Sequence, residues 1–191
     1  GINNLGQIVG DTLSENGQGR RGFIRDANGN FEEFDIPSPG GFQVNDINDL
    51  GRIVGGVSAS GNNACDTFLR EPNGGLQYFN VLSTRCETAY GINDHGIVSG
   101  TDGYLAFVLD TADGSYDIVE FPGATQTQFF GINNLGQIVG EIDNKGVLYS
   151  NGKYTGNFNY PAASLTWFFD INDQGTIAGT YQMNGGQHGF V

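Results

Sequence analysis

Three carboxylates, Asp46, Glu87 and Asp170, carry the side-chain chemistry for cleaving a glycosidic bond if they face a common axis. Such cleavage takes two carboxyl groups about 5 to 9.5 Å apart, one protonating the leaving oxygen and the other acting as nucleophile or base. The three lie in non-equivalent sequence contexts, so solvated or turn-capping roles are the simpler expectation. A second acidic set, Asp49, Asp94 and Asp173, sits in Asn-Asp-x-Gly turns. Calcium wants several hard oxygens, and loops of Asp and Asn provide them. These turns are too short to give six ligands alone, and Asn4 and Asn134 fill the same slot. Calcium is therefore a secondary expectation, and no other cofactor is expected. His95 and His188 are the two histidines, and no G-x-S-x-G elbow or G-x-x-x-x-G-K-[ST] loop accompanies them.

Binding is the more economical chemistry. Tyr90, Tyr104 and Trp167 offer rigid faces with a polar handle, suited to sugar rings or a protein partner. Tyr116, Tyr149, Tyr154, Tyr160 and Tyr181 extend the inventory, with strand packing the default role for most of them. Within Trp167-Phe168-Phe169, alternation sends one or two of the three rings to the core. Arg52 joins the candidate contacts. It belongs to a sparse basic set, Arg20, Arg21, Arg25, Arg70 and Arg85, that precedes a far end holding Lys145 and Lys153.

Charge narrows the partners further. With 8 Lys+Arg against 21 Asp+Glu, the net charge is -13. Nucleic acid is a poor partner, because binding it depends on basic groups that release counterions. No stretch approaches the roughly 20 apolar residues of a membrane span, so membrane insertion is not expected. Position 1 is Gly rather than Met, as in a processed chain or a fragment.

The elements that must position these residues follow from glycine and repetition. Glycine numbers 32 of 191 and asparagine 20. Glycine costs about 1 kcal/mol per helix-interior position, whereas both residues suit tight turns. Many short strands are expected. GINNLGQIVG occurs at 1–10 and again at 131–140, echoed by DINDLGRIVG at 46–55, GINDHGIVSG at 91–100 and DINDQGTIAG at 170–179. The isoleucines Ile2, Ile47, Ile92, Ile132 and Ile171 are 45, 45, 40 and 39 residues apart.

Each repeat reads as four strands. An aromatic strand leads into the motif, which is a hairpin turn whose Asn and Asp accept local backbone hydrogen bonds. A Q-I-V-G-type strand follows, and its closing glycine suggests a bulge or close packing. A small-then-apolar strand comes next, as in Thr67-Phe68 and Ala106-Phe107. The fourth ends in a proline corner at Pro37, Pro122 and Pro161.

Four antiparallel strands in 40–45 residues is the period of a propeller blade. The sequence thus predicts an all-β chain, a single β-propeller domain over 1–191 of about five four-stranded antiparallel blades. The repeats run approximately 1–41, 42–85, 86–124, 125–163 and 164–191. The first lacks its leading strand and the last its final one, giving 18 strands. Pairing of the two terminal strands in one ring is favoured over a piece of a longer repeat protein, because closure removes sheet edges.

The I-N-[ND]-x-G-x-I-V-G motif with His188-Gly189-Phe190 resembles the extracellular HAF-type repeat of secreted bacterial and archaeal proteins. The triplet is eroded at Arg21-Gly22-Phe23, Asp66-Thr67-Phe68 and Leu105-Ala106-Phe107, and Lys145-Gly146-Val147 lacks the aromatic. The resemblance implies an extracellular location and a propeller-like fold, and no settled activity. Cys65 and Cys86, 21 residues apart, sit at no recurring position. A disulfide between adjacent blades is favoured over two buried thiols or a metal pair. These readings point to a secreted, non-catalytic binding or structural module that takes a glycan, a protein or further copies of itself. The alternative is a glycan-active hydrolase or lyase.

Overall fold

The computed structural model describes residues 1–13, 19–58, 65–81 and 86–191. Among them every regular element is a strand. The first sheet is β1 (Ile8–Leu13), β2 (Arg20–Arg25) and β3 (Phe31–Phe34). The second is β4 (Phe42–Ile47), β5 (Ile53–Ser58), β6 (Cys65–Arg70) and β7 (Leu76–Phe79). The third is β8 (Thr88–Ile92), β9 (Ile97–Thr101), β10 (Ala106–Asp110) and β11 (Tyr116–Val119). The fourth is β12 (Thr127–Ile132), β13 (Ile138–Ile142), β14 (Lys145–Ser150) and β15 (Lys153–Phe158), and the last is β16 (Leu165–Ile171), β17 (Ile177–Met183) and β18 (Gly186–Phe190).

Each sheet pairs its strands in chain order, and the five sheets are the blades of a β-propeller. The strand count is that expected, 18 among the described residues. The terminal strands do not complete one sheet: β1-β2-β3 and β16-β17-β18 are separate three-stranded sheets.

Two compact units divide the chain, Gly1–Asp94 and His95–Val191. In the first, Phe34 and Val9 pack with Val44, Ile47, Ile53 and Phe68 between the first two sheets. In the second, Phe129, Ile132, Ile138 and Val147 pack with Ala106 and Val119, and Phe168 and Ile171 pack on Val139. In the second to fourth repeats the small-then-apolar strand supplies a fully buried side chain. Phe68, Phe107 and Val147 are fully buried, each phenylalanine contributing about 2–3 kcal/mol by leaving water.

The motif turns form as the sequence suggests. In the fourth sheet Gly136 N–H donates to Asn133 O at 3.1 Å, with Gly136 left-handed at φ 71°. That places a glycine where a side chain is strained. The strand before the motif carries a bulge, seen as register shifts between Val44 and Asp46, Phe129 and Ile132, and Phe168 and Asp170. The bulge brings backbone close to the opposite strand. A Cβ on Gly140 would lie 1.9 Å from Gln128 O, which is why a glycine closes the Q-I-V-G strand.

Candidate binding site

Every four-stranded sheet has a motif end and an opposite end, and chemistry differs between them. At the motif end, the first asparagine of three turns, Asn3, Asn48 and Asn133, does two jobs. Asn48 Oδ1 accepts from Leu50 N–H at 3.1 Å and Arg52 N–H at 2.9 Å, while its Nδ2 donates to Asn93 O at 2.9 Å in the next repeat. Asn3 donates likewise to Asn48 O at 3.0 Å, and Asn133 to Asn172 O at 2.9 Å.

The second turn residue extends the clasp. Asn4 N–H and Nδ2 donate to the two oxygens of Asp49 at 2.8 and 2.9 Å, and Asp49 N–H donates to Asp94 Oδ1 at 2.9 Å. Asn134 gives the same pair of bonds to Asp173, at 2.8 and 3.2 Å. The slot takes Asn or Asp, and the backbone N–H of either donates to the carboxylate of the next turn. The carboxylates read above as calcium candidates accept amide donors from the preceding turn.

Each of the other acidic candidates has partners of its own. Asp46, on β4, accepts from Ile92 N–H at 3.0 Å through Oδ2, and its Oδ1 lies 2.5 Å from where a Cβ on Gly1 would stand. Asp170, on β16, fills the corresponding space beside Gly131, accepts from Ile171 N–H at 2.8 Å, and has its pKa raised by the surrounding protein. Glu87 is fully buried, and its Oε1 accepts from Val81 N–H. It stands where the next two repeats have Thr127 and Thr166, whose hydroxyls accept from Phe121 N–H at 3.4 Å and Tyr160 N–H at 2.8 Å. Glu87 is a loop cap at a position that recurs.

The aromatic and basic candidates differ in burial and in partners. Tyr90 is half-buried on β8, with burial pushing its phenol pKa up. Trp167 is half-buried on β16, edge-on to Phe169 at 6.2 Å, with its indole N–H buried and without a partner, while Phe168 is in the core and Phe169 is exposed. Arg52 is engaged with Glu71 at 3.1 Å. Arg70 lies buried over the Phe34 ring at 4.5 Å with Glu32 at 3.4 Å, and Arg85 lies outside the described residues.

Tyr104 is different. It stands on the β9–β10 hairpin tip, 60% exposed. The tip is held by Asp102, whose Oδ1 accepts from Tyr104 N–H and Leu105 N–H, both at 2.7 Å. Tyr104 O accepts from Thr127 N–H at 2.7 Å, and Gln128 Nε2 donates to Gly103 O at 2.6 Å, so the tip is fastened to β12. Across from it runs the corner 121–127. Pro122 opens a turn closed by Ala124 N–H on Phe121 O at 3.0 Å, with Gly123 left-handed at φ 84°. Tyr104, the corner and Glu120 enclose a cleft of about 480 Å³. Among the described residues that line it, Glu120 alone carries charge. Phe121 is backed edge-on by Tyr154 at 5.0 Å, whose buried hydroxyl has no partner and whose pKa is pushed up to about 12 by burial.

A strap of two carboxylates lies behind the corner. Glu141, 1% exposed on β13, accepts from Gln126 Nε2 at 2.6 Å and Asn144 N–H at 2.5 Å. Burial raises its pKa. Asp143 accepts from Thr125 N–H at 3.0 Å, Thr125 Oγ1 at 2.5 Å and Gln126 N–H at 3.1 Å, and the Thr125 hydroxyl above all holds its pKa low. The signal for Glu141 was an acid inside the apolar run Ile138–Ile142.

The first unit fastens its tip covalently. Glu87 N–H donates to Cys65 O at 3.4 Å, the counterpart of the Thr127 bond to Tyr104, and the Cys65–Cys86 disulfide closes the same junction. The expected bridge is present.

By fold the chain is a β-propeller, and its likeness to known proteins is of that kind. No protein-family model and no curated protein matches it. Among solved structures, a catalytically inactive variant of virginiamycin B lyase from Staphylococcus aureus, determined with quinupristin, aligns with 100% of this chain and 68% of its own. The TM-score is 0.57 and the sequence identity 13%, a likeness of fold alone.

Proposed function

We propose that this protein is a secreted, non-catalytic module that binds a glycan in the Tyr104 cleft. The observation that carries the reading is an exposed tyrosine held on a rigid, hydrogen-bonded tip over a cleft of mixed polarity. A fixed aromatic face loses little entropy on stacking against a sugar ring, and Thr125, Gln126 and Glu120 supply hydrogen-bonding groups around it. The disulfide supports an extracellular site of action, since such bonds persist in oxidising compartments. The resemblance of the motif to the HAF-type repeat supports the same location.

The test is isothermal titration against a glycan panel, with wild type and Tyr104→Ala. Binding in the wild type that falls at least tenfold in Tyr104→Ala supports the proposal, about 1.4 kcal/mol of lost affinity. Turnover of any glycan, abolished by Asp46→Asn or Asp170→Asn, would replace it with the hydrolase or lyase alternative.

A further inference from the structure

We infer that the corner 160–166 is a second station of the same site, and that the ligand is an uncharged polysaccharide chain crossing both corners. This rests on the glycan reading above. The two corners are repeat equivalents. Tyr160-Pro161-Ala162-Ala163 matches Phe121-Pro122-Gly123-Ala124, and Ala163 N–H closes it on Tyr160 O at 2.9 Å. Thr166 caps it as Thr127 caps the first, and Thr166 N–H donates to Asn144 O at 2.8 Å as Thr127 N–H does to Tyr104 O.

The second corner differs in two ways that point to a ligand. Ala162 holds φ 64°, a conformation that disfavours a side chain, at the place where the first corner has glycine. Asn159 keeps it there by accepting from Thr166 Oγ1 at 2.9 Å and donating to Ala163 O at 2.9 Å. The aromatic has also moved, from the hairpin tip to the corner itself. Tyr160 is 42% exposed and stacks on Tyr181 at 3.8 Å and 11°, with His188 behind Tyr181 at 5.1 Å. One face of the Tyr160 ring is thus backed and its orientation fixed.

One turn joins the stations. Asp143 holds Thr125 and Gln126 of the first corner, while the adjoining Asn144 holds Thr166 of the second. Two hydrogen bonds and one residue step separate the anchored residues Thr125 and Thr166, on the order of 10 Å, so a chain of several sugar rings reaches past both. Charge selects the polymer: residues 159–166 contain no side chain charged at neutral pH, and the first cleft contributes Glu120. An anionic polysaccharide meets the Glu120 carboxylate in the first cleft and no basic side chain within 159–166.

The experiment titrates wild type, Tyr160→Ala and Tyr160→Phe with disaccharides and hexasaccharides of the cello-, manno-, xylo-, laminari- and chito-series, and with hexameric galacturonate. In the wild type, the neutral series that binds is expected to show a hexamer at least tenfold tighter than its dimer, because the second contact is intramolecular. Tyr160→Ala is expected to remove that gain and leave the dimer affinity intact, and Tyr160→Phe to keep the gain. Equal affinity for dimer and hexamer, a gain that survives Tyr160→Ala, or galacturonate binding as tightly as the neutral hexamer would overturn the two-station inference while dimer binding upheld the cleft. Absence of binding by every sugar would overturn both.

Discussion

At the motif end of the sheets the same residues recur and make the same bonds. At the opposite end the junctions recur but the residues do not. Asn3, Asn48 and Asn133 each spend their amide on the next turn's carbonyl. The corresponding tip-to-strand bond at the other end is made by Cys65 and Glu87, by Tyr104 and Thr127, and by Asn144 and Thr166. Only the backbone is needed for that bond, which releases the side chains to differ. The comparison separates what builds the blades from what they display: uniform side-chain clasps fix the sheets, and backbone clasps let disulfide, tyrosine or turn occupy the same place.

The clasp is broken most severely by Asn48→Asp. A carboxylate retains the local acceptor but loses the donor to Asn93 O and sets a buried charge against a carbonyl. A loss of about 4 kcal/mol is expected in urea denaturation, and a change below 1 kcal/mol would mean the asparagine amide is not structural. At the opposite end, replacing Cys65 and Cys86 together by serine is expected to lower stability by about 3 kcal/mol in the same assay. That would be sharpened by Glu87→Thr, the residue of the next two repeats, which is expected to retain the loop cap at little cost.

Tyr104→Ala separates the two roles. With its side chain largely in water, it is expected to leave the urea midpoint within about 0.5 kcal/mol of wild type, while weakening glycan binding at least tenfold. The smallest effect is one of pH. Burial raises the Glu141 carboxyl above its ordinary 4.5, so the folded state holds that proton more tightly than the unfolded chain. The contribution is present below pH 4.5 and is lost as pH rises through the raised value. Wild type is therefore expected to lose stability over that range, and Glu141→Gln to lose less. Identical slopes would remove the buried carboxylate from the account.

Much of the fold was legible because glycine positions and the motif report backbone geometry directly. The bulge glycines, the left-handed turn glycines and the proline corners all do so. The clasp was half legible. Sequence showed that Asn and Asp suit these turns, but not that Asn is fixed at the first position by a donor role reaching 45 or 39 residues away. The carboxylates Asp49 and Asp173 accept amide donors from the preceding turn, a partnership that spacing in sequence does not show. The site was less legible because spacing does not reveal accessibility. Tyr104 and Tyr90 look alike in sequence, yet one crowns a hairpin tip and the other is half-buried on a strand. Glu141 and Asp143 are not legible in the sequence because their partners, Gln126 and Thr125, become neighbours only when β12 and β13 pair.

The division between the two ends is tested most directly by backbone amide chemical-shift mapping during titration with the tightest neutral hexasaccharide. The account requires saturable shifts centred on residues 102–105, 120–127 and 160–166, with turns 46–52 and 131–137 unmoved. Shifts centred on the motif turns, with the corners silent, would contradict it.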